Sequence, residues 1–199
     1  MNHSIPHSKT GWHSFIALIL IIGLGLLSSC NSKPDEINSL QQQVWKTPQD
    51  ARAYMKLGNA YANSKRFPEA SQAFNSALAI NPELDDARHA LGAVAFNQKN
   101  YTEALKFFQQ NLDRSPKDSL RLYDLGNVYM QLKQFDKAAN LYNAAIDNSE
   151  SFIEAHYNLA VCYSHTGRKS DAEAIYKWLL DKNNYLAVSL QKHINNEAR

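Results

Sequence analysis

The residue types that carry chemistry in proteins are sparse in this chain of 199 residues. Cys162 and His165, three positions apart, offer two metal ligands without a second pair, whereas a structural zinc site takes four. The histidines form no H-E-x-x-H motif, and the sequence has neither a G-x-G-x-x-G nor a G-x-x-x-x-G-K-[ST] loop to hold a phosphate. We therefore expect no catalytic residue, no metal and no cofactor, and we predict that the chain is not an enzyme.

The overall charge and the cysteine count exclude further classes. Twenty-one Lys and Arg residues balance 19 Asp and Glu residues, and the basic residues form no long run. A nucleic-acid partner needs clustered basic residues on its phosphates, so we expect none. Two cysteines are too few for a disulfide framework, and 44% hydrophobic residues suffice for one buried core.

The first cysteine lies directly after an apolar segment at residues 15–27. As a helix, these thirteen residues would rise about 20 Å, short of the roughly 30 Å of a bilayer core, so they are typical of an export signal. The following Leu27-Ser28-Ser29-Cys30 resembles a bacterial lipobox. The resemblance implies that residues 1–29 are a cleaved lipoprotein signal peptide and that Cys30 carries palmitate-like acyl chains, of which two or three make attachment durable. An uncleaved signal anchor is the alternative.

The same resemblance predicts where the protein lies. It implies a lipid-anchored protein of the bacterial cell envelope that faces the periplasm. Asn31 stands where Asp would favour retention in the inner membrane, so the outer membrane is favoured. Residues 30–47 are polar and predict a lipidated cysteine followed by a flexible tether. The spacing of Ile37, Leu40 and Val44 leaves open a short amphipathic helix that packs on the chain beyond residue 47.

The remaining chain repeats every 34 residues without an insertion. The repeated columns contain a leucine (Leu57, Leu91, Leu125, Leu159), an alanine (Ala70, Ala104, Ala138, Ala172) and an aromatic ring (Phe74, Phe108, Tyr142, Tyr176). Helical spacing places the leucine on one amphipathic helix of each copy, and the alanine and the ring on a second helix. One helix pair cannot bury its own apolar face, so the copies must stack into a solenoid.

These columns resemble the tetratricopeptide repeat (TPR). The resemblance implies an all-α, right-handed solenoid over residues 48–186. Its four helix-turn-helix repeats are 51–84, 85–118, 119–152 and 153–186. Leu186 begins a helical stripe that Leu190 and Ile194 continue. This stripe predicts a short C-terminal capping helix in the segment 187–199.

The turn inside each repeat usually contains glycine, but only Gly167 does so here. Lys65, Lys99 and Lys133 occupy this position in the first three repeats. Left-handed backbone at such a position would cost each lysine about 1 kcal/mol.

In the TPR family, the stripe one residue beyond the core columns of the first helix faces the concave side, where partners bind. The resemblance therefore suggests eight candidate partner-binding residues: Met55, Asn59, His89, Phe96, Tyr123, Asn127, Met130 and Tyr157. We expect the two asparagines to offer paired donors and acceptors to a peptide backbone, and the apolar side chains to receive apolar groups. The alternative is that this stripe is an ordinary solvated face.

The leading hypothesis is a membrane-anchored TPR lipoprotein that acts as a non-catalytic adaptor or scaffold in cell-envelope assembly. It would hold a peptide or helix of a partner protein in its concave groove. The first rival is a structural scaffold that self-assembles by stacking solenoid ends, because Leu179 makes the fourth repeat atypical. The second rival is a hydrolase built from scattered His and Ser residues.

Overall fold

The computed structural model describes residues 32–196. The predicted signal peptide at residues 1–29 and the predicted lipid-bearing Cys30 lie outside the described residues. Between residues 32 and 196 the chain folds into ten helices without a strand. None of the helices in this range is long and apolar enough to cross a membrane.

Each predicted repeat forms two antiparallel helices joined by a three-residue turn, and four-residue linkers join successive repeats. The repeats comprise α2 (Ala51–Asn63) with α3 (Phe67–Ile80), α4 (Asp85–Asn97) with α5 (Tyr101–Arg114), α6 (Ser119–Gln131) with α7 (Phe135–Asn148), and α8 (Ile153–His165) with α9 (Lys169–Asp181). Each pair packs on the next along the chain. This arrangement confirms the predicted all-α solenoid of four helix-turn-helix repeats.

The core forms where the aromatic column of the second helix meets a column of glycines on the first helix, Gly58, Gly92 and Gly126. A methyl group at Gly58 would overlap the ring of Phe74, and one at Gly126 would lie 2.7 Å from Cε1 of Tyr142. The rings can pack directly on the backbone of the preceding helix because these positions lack a side chain. The four alanines of the repeated column are completely buried beside them.

The predicted capping helix is present as α10 (Leu186–Asn196). Ala187, Leu190 and Ile194 of α10 are buried in one cluster with Leu179. A small residue is usual at this position in a repeat that another repeat follows. The fourth repeat has Leu179 there, because this side chain packs in the last apolar cluster of the solenoid.

The predicted flexible tether over residues 30–47 is wrong for the part that the structure describes. Residues Ser32–Lys46 form a helix, α1, which is the alternative that the spacing of Ile37, Leu40 and Val44 left open. Ile37 is buried on the first repeat, with Leu40 and Val44 half-buried beside it. Gln41 Nε2 also donates a hydrogen bond of 2.8 Å to the Tyr61 hydroxyl. The apolar stripe therefore packs on α2, and this burial outweighs the polar composition of the segment.

The turns inside the repeats have left-handed backbone. The φ angles are 59° at Lys65, 61° at Lys99 and 57° at Lys133, and Gly167 has φ 78°. Lys65 N–H donates to the carbonyl of Ala62, which closes the end of α2. The conformation belongs to the turn and is kept even where glycine is absent.

Candidate partner-binding groove

Two adjoining clefts run across the first helices of the first three repeats. The larger, of about 390 Å³, lies between α2 and α4 and is lined by residues that include Asn59, Asn63 and His89. The smaller, of about 110 Å³, lies between α4 and α6 and is lined by residues that include Phe96 and Asn127. His89, Ala93 and Asn97 line both clefts, so the two form one continuous surface, which we call the groove.

The first repeat supplies an exposed polar group to the groove. Asn59 is exposed, and its side-chain amide forms no hydrogen bond within the described range. Met55, one helical turn earlier, is half-buried and packs on the core of the first repeat. Asn59 therefore keeps both its donor and its acceptor available to a partner.

The middle of the groove contains a histidine that is already engaged. His89 Nε2 lies 2.7 Å from Asp124 Oδ2, so α4 is joined to α6 across the boundary between two repeats. This hydrogen bond raises the pKa of His89, and partial burial of the ring opposes the shift. The His89 ring also contacts Phe108, with ring centroids 5.5 Å apart.

Asn127 takes part in a polar network between the third and fourth repeats. Its Oδ1 accepts hydrogen bonds from the Tyr142 hydroxyl at 2.8 Å and from Asn158 Nδ2 at 2.9 Å. Asn158 Nδ2 also lies 3.2 Å from the Tyr123 hydroxyl. Burial raises the pKa of both tyrosines. The expected pairing of donor and acceptor toward a partner is therefore wrong for Asn127, because its carbonyl oxygen already accepts two hydrogen bonds and its side chain also bonds to Tyr123.

Met130 and Tyr157 lie away from the two clefts. Both pack on the apolar cluster of the third and fourth repeats. The Tyr157 ring meets His193 of α10 edge to face, with centroids 6.3 Å apart. The structure thus brings Asn59, His89, Phe96 and Asn127 into one groove, while contacts with α10 take up part of the Tyr157 surface.

The predicted stripe missed two asparagines that line the groove. Asn63 lines the larger cleft, and Asn97 lines both clefts while its Nδ2 donates 2.8 Å to the carbonyl of Ala93. With Gln131 they occupy one column of the 34-residue repeat. This amide column was a usable signal, because it recurs in three successive repeats.

A separate cleft of about 430 Å³ lies between the third and fourth repeats at their linker. Ile146, Ile153, His156 and Trp178 line it, and the His156 and Trp178 ring centroids are 4.1 Å apart. The repeat pattern does not predict this cleft, because its walls come from three different helices.

Residues with potential chemistry are separated or buried. Residues 32–196 contain no group of three or more His, Cys, Asp or Glu side chains able to hold a metal ion. Cys162 is completely buried, and burial raises the pKa of its thiol to about 12. At neutral pH this thiol is protonated and inaccessible, so it is a packing residue.

The stacked helix pairs and the groove across their first helices define an α-solenoid repeat protein. Three family models described as tetratricopeptide repeat match the chain, at residues 51–84, 84–151 and 123–187. Together they cover nearly the whole solenoid, and the chain belongs to the TPR family.

Solved structures support the same fold. YrrB, described as a TPR protein with an unusual peptide-binding site, is 23% identical, with a TM-score of 0.67 over 84% of this chain and 88% of that one. MamA from Desulfovibrio magneticus RS-1 is 22% identical, with a TM-score of 0.65 over 88% and 94% of the two chains. A TPR protein from Parabacteroides merdae is 17% identical, with a TM-score of 0.74 over 81% and 65%. At these identities the likeness shows the fold alone. No curated protein matches the chain.

Proposed function

We propose that this chain is a membrane-anchored TPR lipoprotein that acts as a non-catalytic adaptor in cell-envelope assembly. Its groove binds a peptide or helix of a partner protein. The continuous pair of clefts across α2, α4 and α6 is the observation that carries this proposal. YrrB, which shares the fold, is described as having a peptide-binding site, and this description adds support.

The groove suits an extended segment that carries apolar side chains. The apolar side chains enter the clefts, where Phe96 and Ala93 supply apolar walls. The amide of Asn59 binds a backbone N–H or C=O of the segment. Asn97 keeps its Oδ1 as an acceptor for a further backbone N–H, since its Nδ2 already donates to its own helix. Amide side chains bind any peptide backbone, so apolar side chains in the clefts provide the selectivity.

A binding role also fits the state of the groove's titratable groups. His89 is held by Asp124, and the two clefts that it lines contain no Ser, Thr or Cys side chain. The protonated, buried Cys162 is unavailable as a nucleophile. These contacts favour the adaptor over a hydrolase built from scattered residues.

The anchor is proposed from the lipobox residues. In this proposal Cys30 carries the acyl chains, the signal peptide at residues 1–29 is removed, and the protein faces the periplasm, on the outer rather than the inner membrane. Mass spectrometry of the membrane fraction tests the anchor directly. The wild type should carry an acyl mass at Cys30, whereas the Cys30→Ala variant should leave the membrane fraction. A wild type without an acyl mass that fractionates like the variant would contradict the anchor.

Capture of partners from solubilised membranes tests the groove. Asn59→Ala and Phe96→Ala each remove a groove side chain and should lose the same co-purifying protein. Matched controls are Asn75→Ala, an exposed amide on α3, and Trp45→Ala, an exposed ring on α1. Both controls should retain the partner, and recovery of the same proteins by all four variants would refute binding in the groove.

The alternative function is self-assembly through the ends of the solenoid. Tyr185 and Val188 are 77% and 61% exposed at the C-terminal end, where Leu180 is also exposed. Such an apolar patch favours contact between copies. Light scattering of residues 31–199 decides between the two functions, because a monomer at micromolar concentration removes the self-assembling scaffold.

A further inference from the structure

The two edges of the solenoid carry opposite charge. The turn edge consists of the turns inside the repeats with their flanking residues, at 63–69, 97–103, 131–137 and 165–171. It holds seven Lys and Arg residues and four Asp and Glu residues, a net charge of +3. The linker edge consists of the equivalent segments half a repeat away, at 46–52, 80–86, 114–120 and 148–154. It holds four basic and seven acidic residues, a net charge of −3.

Three lysines make the turn edge basic. Lys65, Lys99 and Lys133 are exposed, and none of them forms an ion pair with a carboxylate of residues 32–196. Neighbouring arginines differ, because Arg66 binds Glu69 and Arg168 binds Asp171, each at 2.7 Å. With Lys137, whose Nζ lies over the Tyr129 ring, these three ammonium groups are the positive charge of this edge that no carboxylate of residues 32–196 neutralises.

The same lysines occupy backbone that disfavours them. All three have positive φ, in a turn where Gly167 serves the fourth repeat. Strain of this kind persists where the side chain is useful for something other than the turn. A lysine recurring one repeat apart along a single edge is suited to an extended anionic surface.

The described chain also begins at the turn edge. A four-residue linker joins α1 to α2, so the two helices run antiparallel, as the contact between Gln41 and Tyr61 shows. The helices rise about 22 Å and about 20 Å, so the first turn of α1 lies near the end of α2 and hence near Lys65. Residue 32 thus lies at the basic edge, and the apolar segment 15–27 and Cys30 precede it.

We propose that the turn edge is a membrane-facing surface: Lys65, Lys99 and Lys133 lie against the anionic phospholipid headgroups of the bilayer that holds the N-terminus. This surface rests on the proposed anchor at Cys30. Because α1 begins at Ser32 and packs on the first repeat, only Asn31 separates the proposed anchor at Cys30 from the packed helix.

The acidic linker edge then points away from the membrane. Asn63, Lys65 and Asn97 of the turn edge also line the groove, so that end of the groove lies near the headgroups, while its part around Asn59 and Asn127 faces a partner.

Fluorescence quenching on the lipidated full chain in phosphatidylglycerol-containing vesicles tests the orientation. A fluorophore is attached at Gln98→Cys on the turn edge or at Gln49→Cys on the linker edge, both exposed glutamines. The buried Cys162 does not compete for the label. A nitroxide on the lipid headgroups should quench the fluorophore at position 98 and spare the one at position 49.

Two triple variants with equal charge change separate the lysines from the anchor. K65Q/K99Q/K133Q should reduce quenching at position 98, because each lysine near an anionic surface strengthens binding by about fivefold. High salt should do the same. K46Q/K117Q/K182Q, which neutralises three lysines on or next to the linker edge, should leave the quenching unchanged.

The outcomes distinguish the surface from the anchor and from partner binding. Flotation of the vesicles in a density gradient shows whether the lipidated chain is bound to them. If the chain floats with the vesicles but quenching is equal at positions 98 and 49, or the two triple variants have equal effects, the membrane-facing surface is overturned and the anchor is left intact. If the chain does not float with the vesicles, the anchor and this surface are overturned together. Neither result depends on whether the groove captures a partner.

Discussion

His89 and Asp124 join two successive repeats inside the groove, with Nε2 and Oδ2 2.7 Å apart. They lie on the first helices of the second and third repeats, 35 residues apart in sequence. Because both side chains line the smaller cleft, the contact that ties the repeats together also forms part of the binding surface. Its protonation therefore affects the stability of the solenoid and the surface offered to a partner.

This pair predicts a pH dependence of stability. The pKa of His89 is raised in the folded protein by the hydrogen bond to Asp124. The stabilisation is therefore fully present below the unfolded pKa of about 6.5 and is lost as pH rises through the folded value. Urea unfolding measured across this range should show the loss in the wild type but not in Asp124→Asn. The same slope in both proteins would exclude His89 as its source.

Replacing the turn lysines with glycine should stabilise the protein. Lys65→Gly, Lys99→Gly and Lys133→Gly each relieve left-handed backbone, for a gain of up to about 1 kcal/mol. The matched control is Lys106→Gly, because Lys106 is exposed in the middle of α5. There glycine should destabilise by about 1 kcal/mol. Unfolding free energies that shift in the same direction at both kinds of site would contradict the backbone explanation.

Asn111 is a polar residue in an apolar column of the core. Ala77 and Ala145 occupy the same repeat position and are completely buried. Both polar side-chain atoms of Asn111 are buried without a hydrogen bond. Asn111→Ala should therefore raise the unfolding free energy by roughly 1 kcal/mol after the small cavity is counted. Asn158→Ala, which removes a buried but bonded amide, should lower it, and a loss at both positions would refute this account of Asn111.

Gly58 should resist even a methyl group. Gly58→Ala places Cβ against the ring of Phe74, and the overpacking should destabilise the protein by about 1–3 kcal/mol. Thermal unfolding measures the effect, and removal of the ring in Phe74→Leu should make the alanine less damaging than it is in the wild type. Independent, additive effects of the two substitutions would show that the ring is not what excludes the methyl group.

The sequence predicted the features that repeat and missed those that cross between repeats. The leucine and alanine columns predicted the helix pairs, and the turn position where Gly167 stands in the fourth repeat raised the question of left-handed backbone at Lys65, Lys99 and Lys133. The tether prediction failed at α1, because three apolar residues among many polar ones specify a helix only when a surface such as α2 receives them. The engagement of Asn127 was also unpredictable, since it depends on a hydroxyl at Tyr142 and an amide from the next repeat.

The most direct measurement of groove binding is site-specific photo-crosslinking in cells. A photoreactive amino acid replaces Asn59 in the groove or, as the control, Asn75 on the exposed face of α3. The groove position should form an adduct with a partner protein, and the α3 position should not. Adducts of equal yield from both positions, or an adduct from position 75 alone, would contradict the assignment of the groove as the partner-binding surface.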